Sequence, residues 1–302
     1  KAIAMFTFMG SVSAGMYLNP VLQFSQLRAF ICASDEMPEF SFSWYTSHWG
    51  IYALIISVVV VSVLTGIYLK IGKKSHAWAA QAAPKNTQTE APLIALILPI
   101  VPVVLKIWLD FSVIGGFVIA GFAALFLCGK MNKSFKENCQ LVNKLYYDGV
   151  VDTAPLVGFL LTLPMFNTCA SYASPYFKEV LGGIMPTNEY VVCALFAALS
   201  ILGFFRGPLT LYGCGAATLG VLSSVGHFSV PFLFCVFTIP ATTVNVGSCI
   251  TQSWIAWGLA YTKVESRDYL KLSIPFAYIC SILLYILTAF TVTGLGPEWF
   301  LS

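Results

Sequence analysis

The stretch IYALIISVVVVSVLTGIYL, residues 51–69, carries no charged side chain, and Lys70, Lys73 and Lys74 follow it closely. A bilayer core takes about 20 apolar residues of helix, so this run has the length of one crossing and a basic edge beyond it. Further apolar segments flank it at residues 3–18, 92–109, 113–128, 150–171, 190–205, 228–243, 244–261 and 272–292. Only helices satisfy their own backbone in lipid, and the short alternating segments of an outer-membrane barrel are missing. The expected fold is therefore an all-α polytopic membrane protein, a helical bundle with broken and re-entrant helices.

Composition agrees. The chain is 58% hydrophobic and 10% charged over 302 residues, where a soluble domain carries about 25% charged residues. A net charge of +3 with no basic cluster among aromatics excludes a nucleic-acid partner. The nine cysteines form no CxxC spacing and sit mostly in apolar runs, which makes them small hydrophobes rather than metal or redox groups. No cofactor is expected. The chain opens on Lys1, already in an apolar segment and without a signal-peptide pattern, so residues upstream of it are expected.

Punctuation divides the chain into residues 1–72, an N-terminal membrane segment that forms an incomplete half, residues 73–91, a polar connector, and residues 92–302, a C-terminal membrane half with re-entrant segments. Asn19-Pro20 breaks the first apolar segment. Residues 34–50 are acidic and rich in tryptophan, as suits an external interfacial belt, while the lysines of residues 73–90 put that connector in the cytoplasm. Residues 133–149 are amphipathic and suit a helix lying in the interface. Residues 172–189 read as a polar link and residues 263–271 as a charged loop. The expected location is the inner membrane of a bacterium, with membrane lipid around the helices.

No GxSxG, HExxH or Walker pattern is present and the three histidines are scattered, so no enzyme is expected. What remains is interrupted apolar sequence. Gly- and Pro-broken helices at membrane depth are tolerated where they are buried or line a cavity, and in secondary transporters they hold substrate and coupling ions. RGPLTLYGCGAATLGVLSS, residues 206–224, is the most interrupted. Its Gly213 and Gly215 let backbone approach a ligand, and Thr210 and Thr218 offer hydroxyls; a packing face of small residues is the alternative. Residues 152–171 hold Asp152 and Asn167. Asp152 is either an ionisable group at depth or the cap of a helix beginning at Thr153. Thr242, Thr243, Asn245, Ser248, Thr251 and Gln252 form a third polar series, read either as ligands or as interhelical hydrogen bonds. Arg206 neutralises a carboxylate or anchors topology. The expected substrate contacts are Thr210, Gly213, Gly215, Thr218, Asn167, Asn245 and Ser248, and the expected coupling-ion residues are Asp152 and Gln252. Small-residue density in residues 9–15 echoes that in 212–217, as an inverted repeat would.

FRGPLTLYGCGAATLGVLSS, residues 205–224, resembles the Gly-, Ser- and Thr-rich substrate loop of the ion-transporter superfamily of bacterial organic-anion carriers. The gluconate permease and anaerobic dicarboxylate carrier families are nearest in style. The amphipathic stretch before GVVDTAPLVGFLL, residues 149–161, adds to the resemblance, which covers residues 92–292. It implies two inverted repeats, re-entrant hairpins, a homodimer, and uptake of a carboxylate coupled to protons or sodium. The chain departs from these carriers in having fewer spans. The expected function is a secondary active transporter, a symporter of a small organic anion such as a carboxylate or sugar acid. The alternative is a membrane permease subunit of a multi-component uptake or phosphotransferase system.

Overall fold

The computed structural model describes residues 1–18, 42–71, 97–98, 100–109, 111–127, 134–181, 183, 186–211, 213–225 and 228–295. The break at Asn19-Pro20, the connector 73–91 and residues 34–41 of the acidic loop lie outside the described residues, while residues 42–50, expected as the rest of that loop, are helical and run into the span that follows. Those described are mostly helical, with no strand among them. The helices are α1 (Ala2–Gly15), α2 (Ile51–Ile71), α3 (Val101–Leu109), α4 (Val113–Leu127), α5 (Phe135–Leu181), α6 (Glu189–Ala198), α7 (Gly215–Val225), α8 (Val230–Ile239), α9 (Ser253–Thr262) and α10 (Ser266–Thr291). Helix α2 is preceded by a π-helical turn, Thr46–Gly50. Helix α6 passes into a 3₁₀ segment, Ser200–Arg206, and α8 passes into a second π-turn, Pro240–Val246.

Among the described residues, two helices are long and apolar enough to cross a membrane, Thr46–Ile71 and Ser266–Thr291. A third exists if α6 and its 3₁₀ segment, bent by 63°, count as one span. Helix α2 shows what solvent its outer face suits. It buries Ala53, Ser57, Val60, Val61 and Leu64, yet it exposes Ile55, Val58, Val59, Val63 and Ile67. The outward side chains are as apolar as the inward ones, an arrangement that water would penalise and lipid does not. Shorter apolar helices are Ala2–Gly15, Gly115–Leu127 and Val230–Val246.

The chain forms two compact units, Ala77–Leu160, and Lys1–His76 with Leu161–Ser302. In the first, α3 packs on α4. An open groove of about 500 Å³ is lined by Phe122, Phe135, Asn138, Cys139, Val142, Asn143 and Tyr146. In the second, α10 packs against α1, α2, α6 and α8. The Trp49 indole N–H donates to Thr288 Oγ1 at 3.0 Å, and Thr7 and Thr65 hydroxyls meet at 2.8 Å across α1 and α2. The core of this unit is α8 with its π-turn. Every residue from 228 to 249 is buried, which a helix apolar on all sides requires.

Several boundaries differ from those expected. Residues 133–149 and 150–171 are not an interfacial helix and a separate span; both belong to α5, which also takes in most of the expected link 172–189. Pro155 and Pro164 lie inside it. A proline costs its own hydrogen bond and bends a helix, and it does not oblige the chain to leave the helix. Asp152 is therefore interior to α5, not the cap of a helix starting at Thr153. Residues 244–261 are not one span, because the π-turn carries the helix past 243 and the chain then turns before α9. Residues 266–271 of the expected charged loop form the first turns of α10, where Lys271 Nζ pairs with Asp268 Oδ1 at 3.0 Å.

Candidate functional site

The interrupted stretch 206–224 divides in two. Residues 207–214 are non-helical where described, and α7 begins at Gly215. The entrance is sharp: Phe205 and Arg206 take left-handed φ values of 53° and 59°, a conformation that costs a non-glycine residue of order 1 kcal/mol. The loop then closes on itself. Cys214 N–H donates to Arg206 O at 3.2 Å, and Gly213 and Gly215 N–H both donate to Thr210 O at 2.9 Å. A Cβ on Gly213 would overlap Arg206 O, and one on Gly215 would lie 2.5 Å from Thr210 O. These glycines admit the loop's own backbone. Thr218 Oγ1 donates to Pro208 O at 2.6 Å and ties α7 to the loop. Thr210 differs. Its hydroxyl is 0% exposed and meets no hydrogen-bond partner among the described residues.

The third polar series falls on the break after α8. Pro240 lacks the N–H that a continuing α-helix would need, and the ladder widens into the π-turn. Widening displaces carbonyls, and side chains from three elements take them. Ser13 Oγ donates to Thr242 O at 3.1 Å, Ser248 Oγ to Thr243 O at 3.0 Å, Tyr269 Oη to Gly247 O at 2.8 Å, and Ser273 Oγ to Ser248 O at 3.2 Å. Tyr17 and Thr243 hydroxyls meet at 2.6 Å. Buried backbone polar groups are nearly always paired in this way. Ser248 thus holds the break together. The sequence carries no signal for Ser13, Tyr17, Tyr269 or Ser273 as its partners, since they lie far from it along the chain.

Asn245 sits in this π-turn, 0% exposed, and neither its amide nitrogen nor its amide oxygen has a partner among the described residues. A buried amide without partners costs about 1–3 kcal/mol by mutational measures, so such a group calls for a ligand or water. The loop 206–214 is tied to the segment after Asn245. Phe205 N–H points at Cys249 Sγ at 3.2 Å, and Arg206 Nη2 donates to Thr251 O and Gln252 Oε1, each at 3.4 Å. Bonds that long are weak. Gln252 is thereby engaged by Arg206 at the start of α9.

Of the expected site residues, Thr210, Gly213, Gly215 and Thr218 lie in or beside one loop, and Asn245, Ser248 and Gln252 lie in the break joined to it. Asn167 and Asp152 are both on α5, Asn167 in the unit containing Leu161–Ser302 and Asp152 in the unit Ala77–Leu160. The described residues hold no group of three or more His, Cys, Asp or Glu side chains placed to bind a metal. No family model, curated protein or solved structure matches the chain.

Proposed function

We propose that the chain is a secondary active transporter of a small organic anion, a carboxylate or sugar acid, coupled to protons or sodium. The observation that carries the reading is Asn245: a fully buried carboxamide, neither of whose polar atoms has a partner among the described residues, in a break of a core helix. Broken helices at membrane depth are where secondary transporters hold substrate. A carboxamide can donate to a carboxylate through Nδ2, and the Arg206 guanidinium beside the same segment offers charge. Thr210 adds, from the adjoining loop, a buried hydroxyl that also meets no partner among the described residues. The inner membrane of a bacterium is the proposed location, and the re-entrant loop, inverted repeats and homodimer implied by the organic-anion carriers belong to the same proposal.

The test is uptake into proteoliposomes by the full-length protein, screening carboxylates and sugar acids with and without proton and sodium gradients. Gradient-driven uptake that Asn245→Ala weakens, with normal membrane expression, is the expected result. Uptake that appears only when further protein components are added would replace this reading with a permease subunit of a larger system. No uptake of any anion under any gradient would sink it.

A further inference from the structure

Helices α4 and α5 follow one another in sequence, and the open groove of about 500 Å³ lies between the last turns of one and the first turns of the other. Phe122 of α4 forms one wall. The other wall is a single face of α5, since Phe135, Asn138, Cys139, Val142 and Tyr146 recur at helical spacing. All of these residues belong to the unit Ala77–Leu160. The volume falls in the range of about 300–1,000 Å³ usual for small-ligand sites. Asn138, Asn143 and Tyr146 add polar atoms to an otherwise apolar lining.

Charge sets the depth of this groove in a bilayer. Helix α4 carries no charged residue. Residues 135–148 of α5 carry Lys136, Glu137, Lys144 and Asp148, whereas residues 149–177 carry Asp152 alone. The end of α4 and the start of α5 therefore suit the level of the lipid headgroups. Exposed aromatics mark the same level: Phe135 is 82% exposed and Tyr146 73%, as in an interfacial belt. Lys130, Lys133, Lys136 and Lys144 outweigh Glu137 and Asp148 in this stretch, and a positive balance at that depth attracts anionic lipid. The register brings one of these lysines to the groove. Lys136, Cys139 and Asn143 share one column of the helix at i, i+3 and i+7, while Lys144 shares the opposite face with Glu137. An acyl chain suits the walls of Phe122, Phe135 and Val142. A phosphate suits a lysine with carboxamide donors beside it.

We propose that this groove binds one anionic phospholipid, with an acyl chain against Phe122, Phe135 and Val142 and its phosphate at Lys136, Asn138 and Asn143. The site does not depend on the transporter reading.

The test uses Cys139, an exposed thiol in the groove, with the exposed Cys169 of α5 as a reference outside it. The purified full chain in detergent is alkylated with N-ethylmaleimide, and each cysteine is followed by peptide mass spectrometry as phosphatidylglycerol, phosphatidylcholine or glycerol phosphate is added. A lipid that covers the thiol slows its alkylation in proportion to occupancy, by about tenfold at tenfold excess over Kd. Phosphatidylglycerol is expected to slow Cys139 by that factor and to leave Cys169 unchanged. Lys136→Gln should weaken binding of phosphatidylglycerol about fivefold, the effect of one lysine beside an anionic lipid, and Lys144→Gln should not. Equal slowing by phosphatidylcholine overturns the anionic site. Slowing by glycerol phosphate, which has no acyl chain, replaces the lipid with a free anion. No slowing by any of the three removes the site. The wild-type series needs no variant, so a variant that fails to fold leaves the test intact.

Discussion

Thr210 and Thr218 sit eight residues apart in one interrupted stretch and carry the same hydroxyl, yet the fold gives them opposite tasks. Thr218 spends its hydroxyl on Pro208 O, and Thr210 keeps a buried one that meets no partner among the described residues. The two valine substitutions should therefore separate. Thr218→Val removes a hydrogen bond that anchors the loop and is expected to lower stability by about 1 kcal/mol, read as a lower Tm. Thr210→Val removes an unpaired buried polar atom and should leave Tm unchanged or raise it slightly. It should weaken substrate affinity in the proteoliposome assay. Wild-type affinity in Thr210→Val would take Thr210 out of the site and leave Asn245 as its centre. Asn245 and Ser248 part in the same way: both are polar and fully buried, but Ser248 Oγ already serves Thr243 O.

At the scale of elements, the loop between the 3₁₀ segment and α7 and the break between α8 and α9 are two places where helix gives way inside the core unit. Each is held by contacts that leave little slack. Gly213→Ala puts a methyl against Arg206 O and must push backbone apart, so it is expected to lower Tm by several degrees. Gly66→Ala, where nothing lies within 4 Å of the added Cβ, is the matched control and should not lower it. A Tm equally indifferent to both would show the loop not to be closely packed. Trp49→Phe tests the join between the π-turn before α2 and helix α10. It keeps a large apolar ring and loses the bond to Thr288 Oγ1, which predicts a loss of about 1 kcal/mol in unfolding free energy.

At the scale of the whole molecule, the lysines after α2 argue for a cytoplasmic connector at residues 73–90 and an external loop at residues 34–50. Single cysteines placed in each, labelled in intact cells by an impermeant reagent, should react at the 34–50 loop only. Reaction at the 73–90 connector alone would reverse the topology. Some of this molecule was legible from residues in order. The uncharged run 51–69 announced α2, since a membrane crossing is a local property of hydropathy and length. Gly207-Pro208 and the glycines after it announced irregular backbone at 207–214, because each acts on its own dihedrals. Other features depended on partners distant in sequence. Residues 135–181 form one helix although Gly149, Pro155 and Pro164 invite a break, since a proline only weakens a helix locally. Thr242 to Gln252 read as one polar series on a helix, but Pro240 widened the helix there and changed which side chain points where. Whether a buried hydroxyl is spent or left open was beyond any reading of order. Thr218 and Thr210 carry the same hydroxyl, and only the tertiary structure supplies one with a carbonyl and leaves the other without a partner among the described residues. Apolar patterning along the chain determined that helices form and that they suit lipid. The packing of α1, α6, α8 and α10 decided which polar atoms remain unpaired, because hydrogen-bond satisfaction depends on distances between segments that the chain order does not contain.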